Sequence, residues 1–459
     1  MLTVLGVGAV WGFTVDDAWI IARVAHHWAI GDGHRFNAAG AAVDAVTPLG
    51  FPLLLLPAAR RSTEAAFELA RVVGAASVVT TAAVVAGRVA RRGGSWRGWL
   101  PVLLWCASLP WLAWASAGLE TGLVALGCAL AAGRGPAGVL AAGVVGALRP
   151  ELIPATAIVA VGGAWVERER RGRVATRALI WLTPIVLVVL VRQLAFGATY
   201  PLAALAKPAE LVHGLRYVLG GLALTGLPWL LLAPGVVRGL PRQSQLLLVA
   251  LGAHAASLLA AGGDWMPLFR LWVPVFPWMV LVAVEIAERA ALRWTLLRGT
   301  LALAATLLLH VGLGGPSRRV AGERRALIES ARPVLTGARR VAALDVGWVG
   351  VAHPGLVVDL AGVTDPSIAR LAGGHTTKRV PADLLRTRRV DHVVLLLAPG
   401  RKLVWPPQGG QFARGVEQVV ARDAHALGYQ PIAELPLGAD QRYVVLAEYG
   451  ARDAASEPR

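Results

Sequence analysis

The stretch "FTVDDAWIIARVAHHWAIGDG", residues 13–33, follows a short first apolar run and opens with two adjacent carboxylates, Asp16 and Asp17. Thr14 stands three residues before Asp17, the spacing of a capping box, and acids in a first turn favour the helix dipole. That is the plain reading, a helix start. A second reading weighs against it as a full account, because an ionisable group beside a membrane segment is by default a functional candidate. At 100° per residue, Asp16, Arg23 and His27 fall on one narrow stripe. The other faces carry Trp19, Ile21, Trp28 and alanines, so the helix reads as lying in a membrane interface with one polar side. Gly31 and Gly33 end it.

The composition around this stretch is that of a membrane protein. The 459 residues are 56% hydrophobic and only 16% charged, against roughly 25% charge in an average soluble domain. Runs at 65–87, 99–115, 118–132, 136–148, 151–166, 178–195, 215–233, 244–261, 271–286 and 296–313 approach spanning length, with shorter ones at 1–13 and 46–59. They predict a mainly α, polytopic bundle of roughly ten to twelve helices. The net charge of +17 would suit nucleic acid, but the arginines collect in short loops such as "ERERRGR" (167–173) and "RGLPRQ" (238–243). These read as cytoplasmic loops facing anionic headgroups, which excludes a nucleic-acid partner. Cys106 and Cys128 both sit inside apolar runs and form no disulfide or metal framework. Residues 1–13 lack the basic region of a secretory signal and read as a retained membrane helix.

The apolar repetition stops near residue 314. From "GGPSRRVAGERR" onward, "RRVAALDVGWVGV", "GLVVDLAG", "VDHVVLLLA" and "QRYVVLAEYG" read as strands, and 409–428 as a helix. The chain therefore divides into a transmembrane domain over 1–314, whose first outer loop is 14–45, and a soluble α/β domain over 320–450. Counting crossings from the loop at 167–173 puts 14–45, 114–122, 196–214, 262–270 and the C-terminal domain on the outer side. One conflict remains in that count. Arg60 and Arg61 and the basic run 88–97 cannot both be cytoplasmic if 65–87 crosses once.

Three further groups of charges stand at the ends of apolar runs. In "GGDWMPLFR" (262–270), Asp264 and Arg270 are the only charges, and Trp265 suits an interface. In "ALRPEL" (147–152), Arg149 and Glu151 interrupt a long apolar stretch at Pro150, where a break is tolerated if it lines a polar cavity. Glu120 in "SAGLETG" and Lys207 in "FGATYPLAALAKPAELVHG" (196–214) complete the set; each read alone is a solvated surface charge. The glycines of "GVGAVWG" (6–12) have no βα unit around them and make no nucleotide fingerprint.

Taken in order, these blocks resemble a known pattern. "DDAWIIARVAHHWAIGDGHRFNAAGAAVDAVTPLG" is similar to the first outer loop of a branch of the GT-C superfamily, polytopic glycosyltransferases that use polyprenyl-phosphate sugars. "SAGLETGL", "LRPEL", "FGATYPLAALAK", "GGDWMPLFRLWVPVFP" and "LDVGWVG…VVDLAGVTDPSIAR" continue it, so the resemblance runs along nearly the whole chain. The characterised members it resembles are the terminal arabinofuranosyltransferases of the actinobacterial cell wall. Two blocks depart from the pattern: "NAAGAAVDAV" lacks the usual glutamates and keeps only Asp44, and "TPLG" lacks an aromatic after the leucine.

The resemblance implies an inverting enzyme of the bacterial inner membrane that moves a sugar, arabinofuranose being one candidate, from a polyprenyl-phosphate donor to an envelope glycan or lipid acceptor on the outer face. Such a donor already carries its leaving group. The enzyme needs a base for the acceptor hydroxyl and cations for the departing phosphate. Asp16 or Asp17 is the expected base, the resemblance favouring the first and leaving the other to orient a sugar hydroxyl. Arg270, Lys207 and Arg149 suit the phosphate. Asp264 and Trp265 suit sugar or lipid, and Arg23, His27, Glu120 and Glu151 complete the expected substrate contacts. No metal is required, although two adjacent carboxylates could hold a divalent cation. The C-terminal domain is expected to help bind the acceptor, with Asp345, Asp359 and Asp365 at its strand ends, where turn formation is the plainer role. A transporter or flippase of lipid-linked substrate is the rival reading; it calls for inverted repeats and ionisable residues at helix midpoints, whereas these charges gather at segment ends. A non-catalytic glycan-binding protein of the envelope is the third.

Overall fold

Long apolar helices account for the first two-thirds of the chain. The computed structural model describes residues 1–38, 40–167, 171–226, 229 and 239–448. Helices Thr63–Arg91, Gly172–Phe196, Arg242–Ala260 and Leu292–Leu335 are each long and apolar enough to cross a membrane. Trp96–Cys106 and Leu109–Ser116 form an apolar pair bent by 48°, a broken span or a re-entrant loop, with Pro110, which has no N–H to continue the ladder, in the first turn of the second helix. The remaining apolar runs form shorter helices, Thr121–Ala131, Gly135–Leu148, Pro150–Val166 and Leu211–Thr225, of the length expected for buried or re-entrant segments. The end of the run 215–233, residues 168–170 of the basic loop at 167–173, and Arg238 lie outside the described residues, as do 449–450 at the end of the C-terminal domain.

The chain folds into two discontinuous compact units. A helical unit holds Met1–Thr14, Leu69–Val191 and Ala209–Arg318. A mixed unit holds Val15–Glu68, Arg192–Pro208 and Arg319–Arg459. The opening loop therefore belongs with the C-terminal residues rather than with the helices of 69–191. Of the segments that the crossing count puts on one side, the opening loop, residues 196–208 of 196–214 and the C-terminal domain share this unit, while 114–122 and 262–270 belong to the helical one.

The segment before Arg60 lies in the same unit. Residues 51–59 form a helix of only 9 residues, roughly 14 Å long at 1.5 Å per residue, too short to cross. It packs in the mixed unit, where the His26 ring bonds the Ala59 carbonyl at 2.7 Å. Arg60 and Arg61 thus precede, and Arg88 and Arg91 end, a single span.

The C-terminal sheet has the order β2-β1-β3-β5-β4. Strands β1 (Arg340–Ala343), β2 (Leu356–Asp359) and β3 (His392–Leu396) are parallel, and β5 (Gln441–Ala447) runs antiparallel to both β3 and the edge strand β4 (Gln430–Leu437). Two sequence expectations change. The strand expected to continue through "LDVGWVGV" ends at Ala343, and Val346–Ala352 is a helix. The helix expected over 409–428 is Gly415–Ala426. Strand β4 carries Pro431 and Pro436, tolerated because it lies at an edge.

Candidate active site

In the mixed unit the opening helix, Asp16–Ala29, lies against the short helix Val346–Ala352. Asp16 accepts from both N–H groups at the start of that helix, Gly347 at 2.7 Å and Trp348 at 3.0 Å. Arg23 works at its other end. Its guanidinium donates to the carbonyls of Gly350, His353 (2.8 Å) and Gly355 (2.9 Å), while Nε donates to Phe36 at 2.7 Å. An anion at the N-terminus and a cation at the C-terminus both oppose the helix dipole. The match is also one of length: seven residues separate Asp16 from Arg23, about 10.5 Å along an α-helix, which is the rise of the seven-residue helix they bracket. Gly347 and Gly350 allow the approach, since a Cβ at 347 would run into the Asp16 backbone and one at 350 into the Arg23 side chain.

This geometry corrects the expected roles of the stripe. Arg23 is 2% exposed and its donors are taken by main-chain carbonyls, so it holds the fold and has no face for substrate. His27 is buried, with Nδ1 2.8 Å from Asp32; it closes the turn after the helix. Asp16 has both oxygens engaged. Burial pushes its pKa up to about 7, with Arg324 and the two N–H donors opposing and Asp345 adding to the rise.

Asp17, one residue on, is turned to another face. Its side chain is 31% exposed, and its carboxylate stands 3.8 Å from the ammonium of Lys207, itself 24% exposed. Lys207 follows the five-residue helix Leu202–Ala206, which packs on Ala369. Asp44, the one acid kept in the loop, is buried and accepts from Arg192 Nε at 2.8 Å. With Asp16 taken by backbone N–H groups, the aspartate pair is not arranged to share a cation. Among the described residues no cluster of three or more His, Cys, Asp or Glu is placed to hold a metal.

Behind Asp16 stands a buried network that sequence reading missed except for Asp345. Arg414 donates to both oxygens of Asp345 at 3.0 and 2.7 Å and to Glu417 at 3.0 Å. The Tyr443 hydroxyl also donates to Asp345, and accepts from Arg324 at 3.2 Å. Burial notwithstanding, Arg414 and Arg324 hold Asp345 below the usual carboxylate range. Burial pushes Glu417 up to about 7 despite Arg414. Asp359 and Asp365 take the plainer role: Asp359 accepts from the N–H groups of Ala361, Gly362 and Thr364, and Asp365 caps Pro366–Ala369.

The helical unit gathers the other expected residues. Helix Gly135–Leu148 stops at Arg149, whose backbone is extended, and a 3-10 turn over Pro150–Leu152 precedes the next helix. The break frees Arg149 to pair with Glu120 at 2.6 Å and Glu151 at 2.8 Å. In the loop after Ala260, Gly262 and Gly263 have positive φ, as do Leu268 (57°) and Phe269 (52°). A left-handed backbone at two non-glycine residues costs on the order of 1–2 kcal/mol each. The strained turn delivers Arg270, which donates from Nε to Asp264 at 2.8 Å and lies 6.0 Å from the ring centre of Trp114. Neither terminal nitrogen of Arg270 has a partner among the described residues. Trp265 stacks on His213 with ring centres 3.9 Å apart.

Helices long and apolar enough to span, broken apolar helices and a C-terminal α/β sheet give the fold of a multi-pass membrane protein. The chain superposes on ArnT from Cupriavidus metallidurans, solved in the apo state, with a TM-score of 0.57 over 100% of this chain and 98% of that one. Sequence identity is 13%, so the likeness is one of fold. Comparison with family models and with curated proteins gives no match.

Proposed function

We propose that this protein is an inverting membrane glycosyltransferase that moves a sugar from a polyprenyl-phosphate donor to an envelope glycan or lipid acceptor. The observation that carries the reading is the Asp17–Lys207 pair. Asp17 stands one residue off the stripe, its carboxylate stays part-exposed, and the pair combines a base with a cation. Asp17 takes the proton of the acceptor hydroxyl as that oxygen attacks the anomeric carbon. The lipid phosphate leaves from the opposite face of the sugar, giving inversion. Lys207 offers the departing phosphate a point charge.

The fold likeness to ArnT supports the use of a lipid-linked donor, and the placement of the mixed unit on the outer face of a bacterial inner membrane belongs to the same proposal. Arabinofuranose as the sugar rests on the sequence resemblance. The test is transfer from synthetic polyprenyl-phosphate sugars, arabinofuranose among them, by the purified protein. Product of inverted configuration that disappears in Asp17→Asn supports the reading. Absence of transfer with every lipid-linked donor, or wild-type turnover in that variant, removes it.

A further inference from the structure

The free edge of β2 borders a cavity of about 170 Å³, lined by Phe36, Asn37 and Ala41 of the opening loop and by Arg340, Asp365 and Arg388. On the same measure a single water needs only roughly 10–15 Å³. Its character is polar and cationic. Arg388 pairs with Asp365 through Nη2 at 2.9 Å, and Arg340 donates from Nη1 to the Arg388 carbonyl at 2.8 Å. That leaves Nε and Nη2 of Arg340, and Nε and Nη1 of Arg388, with no partner among the described residues. Two guanidinium groups face one carboxylate, so the cavity carries a net positive charge.

What could enter is restricted by Asn37. Its side-chain amide donates to the Val357 carbonyl at 2.9 Å and accepts from the Val357 N–H at 3.0 Å. It thereby occupies both outward main-chain groups of Val357, in the middle of the edge strand. A peptide adding itself to β2 would find them already satisfied. The cavity is therefore shaped for a compact ligand read by side chains.

We propose that this cavity binds a sugar residue bearing an oxyanion, a carboxylate or a phosphate, with Arg340 and Arg388 forked onto the anion. It deepens the proposed function, on which it rests for naming that sugar as part of the glycan acceptor. The reactive hydroxyl would lie elsewhere on the acceptor chain, so the cavity selects which glycan is presented and takes no part in the chemistry.

The test uses the full chain in phosphatidylcholine nanodiscs, which present no anionic lipid. Binding of glucuronate, glucose 6-phosphate, glucose and inorganic phosphate is followed by calorimetry. At least one charged sugar should bind tenfold or more tighter than glucose. Ala41→Glu, at an exposed position of the rim, should weaken it at least tenfold without lowering the unfolding temperature, and Arg340→Met should do the same. Asp17→Asn should leave it intact. Charged sugars binding no better than glucose, or binding unchanged in both rim variants, would overturn the proposal. Inorganic phosphate binding as tightly as glucose 6-phosphate would also overturn it, since the sugar would then contribute nothing. Because the readout is binding, it separates from the transfer assay: loss of transfer activity with binding retained removes the enzyme reading alone, and the reverse removes the cavity alone.

Discussion

Substituting the two adjacent aspartates one at a time should separate a structural acid from a chemical one. In Asp16→Ala, the N–H groups of Gly347 and Trp348 lose the carboxylate that accepts from them at 2.7 and 3.0 Å. Hydrogen bonds to a charged acceptor contribute about 1.5–3 kcal/mol each, and solvent reaching the vacated space returns part of the loss. The expected cost is about 3 kcal/mol. At roughly 2–4 °C per kcal/mol for a unit of this size, unfolding should come about 6–12 °C earlier. Asp17→Asn breaks a half-exposed pair at 3.8 Å, worth about 1 kcal/mol or less, and should melt within a few degrees of wild type. Turnover should order the variants differently. Loss of a general base costs roughly 10²–10⁴-fold, so Asp17→Asn should be near-inactive though folded, whereas Asp16→Ala should keep measurable transfer at temperatures where it remains folded. The assay pairs tryptophan-fluorescence melting in detergent with initial rates on a synthetic polyprenyl-phosphate sugar. If Asp16→Ala melts like wild type yet transfers nothing, while Asp17→Asn turns over normally, the inference from the hydrogen bonds of Asp16 is wrong and the base is the first aspartate.

Three other perturbations probe separate parts of the structure. Gly347→Ala should lower the unfolding temperature by more than Asp16→Ala, because its Cβ meets rigid Asp16 backbone; Gly8→Ala, with open space at its Cβ, should melt as wild type. Arg149→Met leaves Glu120, 2% exposed, as an unpaired buried charge and should cost about 3–5 kcal/mol; adding Glu120→Gln should recover part of that loss in the same melting assay. Glu417, raised from 4.5 to about 7 in the folded state, binds more protons folded than unfolded within that window. Its contribution to stability therefore falls as pH rises from about 4.5 to 7, by at most about 1.4 kcal/mol per pH unit, and is flat above. Glu417→Gln should flatten that part of the melting-temperature profile.

Much of the fold was legible because apolar run length and strand alternation are local signals. The ends of β2, β3 and β5 fall inside the runs that predicted them, and the break at Arg149–Pro150 follows from proline and an ionisable pair in a hydrophobic stretch. The strand predicted through "LDVGWVGV" failed at Asp345, because a buried helix of seven residues is too short to show a helical period. Strand β4 was invisible for the opposite reason: two prolines erase the strand signal wherever the sheet position is unknown. The pairing of Glu120 with Arg149 joins positions 29 residues apart, and nothing local announced it.

The stripe of Asp16, Arg23 and His27 shows where such reading stops. Helical spacing establishes that side chains share a face; it does not say what the face meets. A polar stripe on an otherwise apolar helix is consistent with water, with substrate, or with the ends of another helix, and the last needs a partner more than 320 residues away. Yet the choice was partly readable. A face built for substrate has no reason to space an acid and an arginine by two helical turns with the acid first, whereas bracketing a short helix requires that order and that interval, because the dipole has a sign and the helix a length. The glycines of "VGWVG", three apart, are the complementary mark on the other side. Asp17 lies outside this register, and its exposure beside Lys207 is the consequence of the same helix geometry that buries its neighbour.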